Sequence, residues 1–171
     1  MPITVSEGGD WVERLAIADL INRYSHTVTR ADWDQMEAAF APDAISESPA
    51  LGMRFESAGE FREHMARTTG YDLLIQTAHS PVIRFLDPGR AQATTTVHEL
   101  VRGQRHVDTP LGKAGTPLNI EQYGIYYDDV VKTDGEWKFT HRLFMPVYTR
   151  TDFVTGEVLT PRFALSRPTS V

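Results

Sequence analysis

Along the first third of the chain the apolar positions follow a helical period. Ile17, Leu20, Ile21, Tyr24 and Val28 form a stripe, with Asp19, Asn22 and Arg23 beside it. Asp10 and Glu13 have the spacing of a capping box, which predicts a helix from about Trp11 to Arg30. Asp32 and Gln35 repeat that spacing before a shorter helix carrying Trp33, Met36 and Phe40, which Ala41-Pro42-Asp43 stops. Ser57 and Glu60 precede a third helix with Phe61, His64 and Met65, and one extended piece is expected around Ala44 to Phe55. From Leu73 the period changes to two, the mark of consecutive antiparallel strands. Strands are expected at about 75–86, 91–105, 119–132 and 136–149, separated by Asp87-Pro88-Gly89, a Gly/Pro-bearing loop and Asp134-Gly135. The segment 150–171, apolar but broken by Pro and Gly, is expected to fold back over a pocket as the tail of one domain spanning 1–171.

Composition narrows the chemistry. A length of 171 residues suits one core, and 41% apolar residues exclude general disorder. Lys and Arg number 17 against 23 Asp and Glu, and a net charge of −6 repels a phosphate backbone, so nucleic acid is not an expected partner. The absence of Cys removes disulfides, thiolate metal sites and a Cys nucleophile. The first ten residues lack the basic and apolar regions of a signal peptide, and no apolar run reaches the ~20 residues of a membrane span. A cytoplasmic protein with no membrane partner is the expectation. No glycine-rich phosphate cradle and no G-x-S-x-G elbow occurs. His98-Glu99-Leu100-Val101-Arg102 opens like a zinc-protease motif but has Arg where the second His belongs, so neither metal nor cofactor is expected.

Helices followed by a curved antiparallel sheet describe an α+β cone. Several segments carry a more specific likeness: Tyr24; Ala31-Asp32-Trp33-Asp34; Phe40-Ala41-Pro42-Asp43-Ala44; His79; Gly124-Ile125-Tyr126-Tyr127-Asp128; and Asp134-Gly135-Glu136-Trp137-Lys138-Phe139. In their order and spacing, over about residues 10–149, they resemble the SnoaL-like branch of the nuclear transport factor 2-like superfamily. That branch includes scytalone dehydratase, bile acid 7α-dehydratase and lindane dehydrochlorinase types. The resemblance implies a cone-shaped pocket and an Asp/His pair in which His abstracts a proton and Asp, at the end of the first helix, orients it. His79 falls at the His position, whereas Thr29 stands where the Asp would be. Asp32 could supply the carboxylate, but its spacing to Gln35 equally marks it as a helix cap.

Alternation assigns faces. Thr94, Thr96, His98, Leu100 and Arg102 share one side of their strand, and the resemblance turns this even set toward the pocket. Gln122, Gly124 and Tyr126 join them from the next strand, and Thr140, Arg142, Phe144 and Pro146 from the last. The expected site therefore has His79, His98 and Tyr24 as catalytic residues, with Tyr126, Arg142, Phe144, Leu100 and Asp32 against the substrate. Tyr24 and Tyr126 also read as core residues, and Arg142 as the partner of Asp128.

The expected activity is that of a cofactor-independent, dehydratase-like lyase. A His base would remove a proton beside a carbonyl or activated carbon of a small apolar, oxygen-bearing molecule. An isomerase or retro-aldol lyase would begin with the same proton transfer, and a non-catalytic binding protein would use the same cone. Tyr123, Ile125, Tyr127 and Val97 are expected on the outer face of the sheet, where that much apolar surface calls for a homo-oligomer, a dimer or a trimer.

Overall fold

The computed structural model describes residues 10–151 and 154–159. Helix α1 spans Asp10–Arg30, and its stripe of Ile17, Leu20, Ile21, Tyr24 and Val28 is at most 2% exposed. At roughly 1.5–3 kcal/mol for each buried large side chain, this stripe holds the helix down, not its cap. Glu13 accepts hydrogen bonds from Lys132 Nζ and Trp137 Nε1, both at 2.7 Å, and pins the helix to the far end of the sheet. Ala31 closes α1 in the left-handed region (φ 58°), and Asp32 then caps α2 (Trp33–Ala38) by accepting from the Gln35 N–H. Phe40 is not in that helix: it opens strand β1 (Phe40–Ser48), which turns through Pro49–Leu51 into β2 (Met53–Phe55). Ser57 caps α3 (Ala58–Ala66) as its spacing to Glu60 predicts.

Five further strands complete a single sheet: β3 (Tyr71–Ala78), β4 (Val82–Asp87), β5 (Arg90–Gln104), β6 (Pro117–Thr133) and β7 (Glu136–Thr151). The strand expected at 75–86 is thus two strands, interrupted at His79-Ser80-Pro81. Both pair antiparallel with β5, β4 along its first part and β3 along its second. The order is β2-β1-β7-β6-β5-β3, with β1 parallel to β7, so the sheet is mixed. It is strongly curved without closing into a barrel, and the three helices pack on it in an α+β arrangement. No helix among the described residues is long and apolar enough to cross a membrane.

The register of the two longest strands fixes what faces inward. Glu99 pairs with Gln122, Val97 with Gly124 and Thr95 with Tyr126, so the inward even positions of β6 require the odd positions of β5 to face inward as well. Ala91, Ala93, Thr95, Val97, Glu99 and Val101 are all buried. The expected orientation of β5 is therefore inverted: His98, Leu100 and Arg102 lie on the outer face, and Val97, expected outside, is fully buried. A β-bulge between Asp129 and Val130 shifts the pairing with β7 and leaves Arg142 and Phe144 facing in, as expected.

After β7 the chain stays close to the sheet where it is described. Val154 is buried and its N–H donates to Asn119 Oδ1 at 2.9 Å, while Arg102 Nη1 donates to the Gly156 carbonyl at 2.6 Å. Residues 152–153 and 160–171, with most of the expected tail, lie outside the described residues.

Candidate active site

Between the helices and the concave face of the sheet lies a cavity of about 150 Å³. Its walls are apolar: Val28 from α1, Leu51 and Met53 beside β1, Phe61 and Met65 from α3, and Phe144 from β7. Its polar groups converge from three strands. Gln76 on β3, Glu99 on β5 and Gln122 on β6 are adjacent across the sheet and all buried.

Glu99 is the centre of this group. The Gln76 amide donates from Nε2 to Glu99 Oε1 at 2.5 Å and also to the Tyr126 hydroxyl at 3.0 Å, and Gln122 Nε2 donates to Glu99 Oε2. Burial pushes the Glu99 carboxyl above its usual range, and the two amide donors only partly offset this. Among the described residues, Gln76 Oε1 and Gln122 Oε1 are buried with no hydrogen-bond partner, as are Ser46 Oγ and Ser48 Oγ on the cavity wall. Unpaired buried acceptors of this kind are costly in an empty core and useful against a ligand that donates hydrogen bonds.

Tyr24 and Tyr126 stand edge to face, their ring centroids 6.0 Å apart. Burial raises both phenols, so they remain protonated donors at neutral pH. Beneath them Arg142 is paired with Asp128 in a bidentate contact at 2.7 and 2.8 Å, and its guanidinium carbon lies 4.0 Å from the Tyr24 ring centre and 4.2 Å from that of Tyr126. Burial opposes the charge on Arg142, but the adjacent carboxylate more than compensates and holds its pKa above the usual value. Arg142 is thus the floor on which the two phenols rest.

The structure brings together Tyr24, Tyr126, Arg142 and Phe144 of the expected residues and leaves four outside. His79 is exposed past the end of β3, where its backbone N–H donates to the Thr96 carbonyl at 2.9 Å. The residue beside Thr29 is instead Gln76, whose N–H donates to Thr29 Oγ1 at 3.0 Å. His79 lies three residues beyond Gln76, outside the cavity. His98, on the outer face, stacks on Tyr123 with ring centroids 4.3 Å apart and hydrogen-bonds Glu121 at 3.0 Å. Leu100 shares that face opposite Ile75, and Asp32 serves as the cap of α2. The residues that sequence reasoning missed are Gln76 and Glu99; Gln122 lines the cavity as alternation on its strand placed it. The signal for Glu99 was present: a lone acid on a strand face that also carries Ala91, Ala93, Thr95, Val97 and Val101.

The family model described as "SnoaL-like domain" matches residues 11–143. The chain belongs to that SnoaL-like family. A search of curated proteins finds no match. Solved structures do resemble this SnoaL-like domain. A scytalone dehydratase-like protein of Novosphingobium aromaticivorans superposes with a TM-score of 0.70 at 21% identity, covering 85% of this chain and 91% of the other. Hexachlorocyclohexane dehydrochlorinase LinA-type3 of Novosphingobium barchaimii superposes at 0.67 and 15% identity, covering 88% and 97%. Rv3472 of Mycobacterium tuberculosis, a protein of unknown function, superposes at 0.62 and 19% identity, covering 81% and 73%. These likenesses concern the fold; in the SnoaL-like domain described here Thr29 stands where the resemblance implied the Asp, and His79, which fell at the His position, is exposed outside the cavity.

One glycine shapes the cavity. A Cβ at Gly124 would lie 2.2 Å from Phe144 Cε2, so Phe144 can lie flat against β6 only because that position has no side chain. Gly124→Ala is expected to drive Phe144 into the cavity and to lower stability by about 1–3 kcal/mol, measured by urea denaturation.

Proposed function

We propose that this SnoaL-like domain is a cofactor-independent lyase acting on a small apolar, oxygen-bearing molecule, with Glu99 as its general base. One observation carries the reading: a buried carboxylate, raised by burial and oriented by two amides, in an apolar cavity beside two protonated phenols. A carboxylate in that setting is a stronger base than one in water, and its pKa lies closer to working pH. Glu99 would take a proton from carbon beside a carbonyl, and Tyr126, with Tyr24 behind it, would donate to the oxygen on which charge develops. Dehydratase and dehydrochlorinase, the names of two structural neighbours, both denote eliminations, which supports loss of water or a related group as the following step. Isomerisation would use the same groups. Thr29 in place of the expected Asp, and a His79 that does not line the cavity, favour a second reading, in which the cavity holds its ligand without turning it over.

Native mass spectrometry of the purified protein should find a small apolar, oxygen-bearing molecule bound, and that molecule is the substrate to test. With it, kcat/KM should rise with pH through an apparent pKa above the ordinary glutamate range, because the base must be ionised and burial raises Glu99. His79→Ala should leave the profile unchanged. A bound molecule that is never turned over would establish the second reading.

We also propose that two copies pair through the outer face of the sheet. Tyr123, Tyr127, Met145 and Tyr148, on adjacent strands, are 39–54% exposed, an apolar patch large for solvent contact. Light scattering at micromolar concentration should give twice the chain mass, and Tyr123→Glu should return it to the monomer.

A further inference from the structure

The cavity has a second end that the chemistry at Glu99 leaves unused. Glu99 and Gln122 also line a neighbouring chamber of about 160 Å³, bounded on its other side by His64, Tyr71, Arg105 and His106. There His106 bridges two groups, with Nδ1 2.9 Å from the Tyr71 hydroxyl and Nε2 3.3 Å from His64 Nε2. Burial, together with the Arg67 charge, lowers both imidazoles, His64 to about 4, so both are neutral at pH 7. Positive charge at this end therefore belongs to Arg105, with Arg67 nearby.

The acids around it are engaged elsewhere. Asp108, in the same loop as Arg105, accepts from Lys113 Nζ at 2.7 Å and from the Ala114 N–H at 2.9 Å. Asp72 is held by Arg102 at 2.6 Å. Glu60 and Glu63 border a separate depression with Arg67 on the other side of His64, and Glu60 accepts from the Glu56 N–H. Among the described residues no carboxylate forms an ion pair with Arg105. The loop is also built around this side chain. Gly112 (φ 155°) packs so closely that a Cβ there would lie 2.5 Å from Arg105 Nε.

A guanidinium without a carboxylate partner on the wall of an apolar chamber, in a chain of net charge −6, is a site for a ligand anion. We propose that this end takes the carboxylate of an elongated apolar acid, seated on Arg105 with the His106–His64 pair and Tyr71 as hydrogen-bonding neighbours. Arg105 draws the ligand in one direction, carboxylate toward Arg105 and carbon toward Glu99, and an ionised Glu99 reinforces it by repulsion. The placement of the reacting carbon rests on the reading of Glu99 as base; the anion site does not.

A matched pair of probes tests it: 4-phenylbutyrate and 4-phenyl-1-butanol, titrated calorimetrically into the full chain at pH 7. The acid should bind about tenfold or more tightly than the alcohol, and Arg105→Gln should abolish the preference while Arg105→Lys retains part of it. Glu99→Gln should keep the preference, so a failure of the proposed base does not register in this assay. Equal affinities, a preference that survives in a folded Arg105→Gln protein, or binding of neither probe would overturn the proposal.

Discussion

Replacing Glu99 with Gln is expected to lower turnover by about 10²–10⁴-fold, the usual contribution of a general base, while leaving the protein at least as stable as its parent at neutral pH. The two halves of this expectation have one cause. Burial raises the Glu99 carboxyl above its unfolded value. Between the unfolded and folded pKa the native chain therefore holds a proton that the unfolded chain has released. Stability must fall as pH rises through that window, and the penalty stays in full above it. A neutral amide of the same shape removes the penalty. It need not orphan its neighbours either, because Gln76 Oε1 and Gln122 Oε1 are now unpartnered and can rotate to accept from the new amide. A residue kept only for structure would show the reverse, with stability lost and turnover preserved. Thermal unfolding of both proteins at pH 5 and pH 8 checks the sign: the advantage of Glu99→Gln should be larger at pH 8.

The elements were legible in the sequence because their signals are local. The stripe from Ile17 to Val28 could only be a buried helical face, and Asp32 and Ser57 sit at their caps as the spacing requires. The site was harder to read, since it depends on register, which is set between strands. Alternation on β5 separates Thr94, Thr96 and His98 from Thr95, Val97 and Glu99 but does not say which set faces in. Only the pairing of Glu99 with Gln122 decides that. His79 misled for a related reason. It lies in a break between two strands that the period of two had joined into one, three residues beyond Gln76, the side chain that enters the cavity. On β6 and β7 the resemblance turned Tyr126, Arg142 and Phe144 inward, and there the reading matched the structure.

Asp128→Asn is expected to be the most destabilising of these changes, at about 3–5 kcal/mol in urea denaturation. Arg142 is 2% exposed and cannot lose its charge at any workable pH, so without Asp128 it becomes an unpaired cation in the core. Its Nη1 is already without a partner, and the faces of Tyr24, Tyr126 and Phe139, the last 3.9 Å away, supply only weak compensation. The loss would not reflect the net worth of the ion pair, since two charges brought into the core are costly even when paired. The double replacement Asp128→Leu with Arg142→Met separates these quantities. It removes both charges at similar volume and should recover most of the stability lost by Asp128→Asn. It should not recover activity: Tyr24 and Tyr126 would then rest on a flexible thioether instead of a planar guanidinium fixed by two hydrogen bonds, and donors that shift by even ~1 Å lose much of their effect on a developing charge. A double variant that regains stability but not turnover would assign the buried pair to the positioning of the phenols, and one that regains both would reduce it to packing.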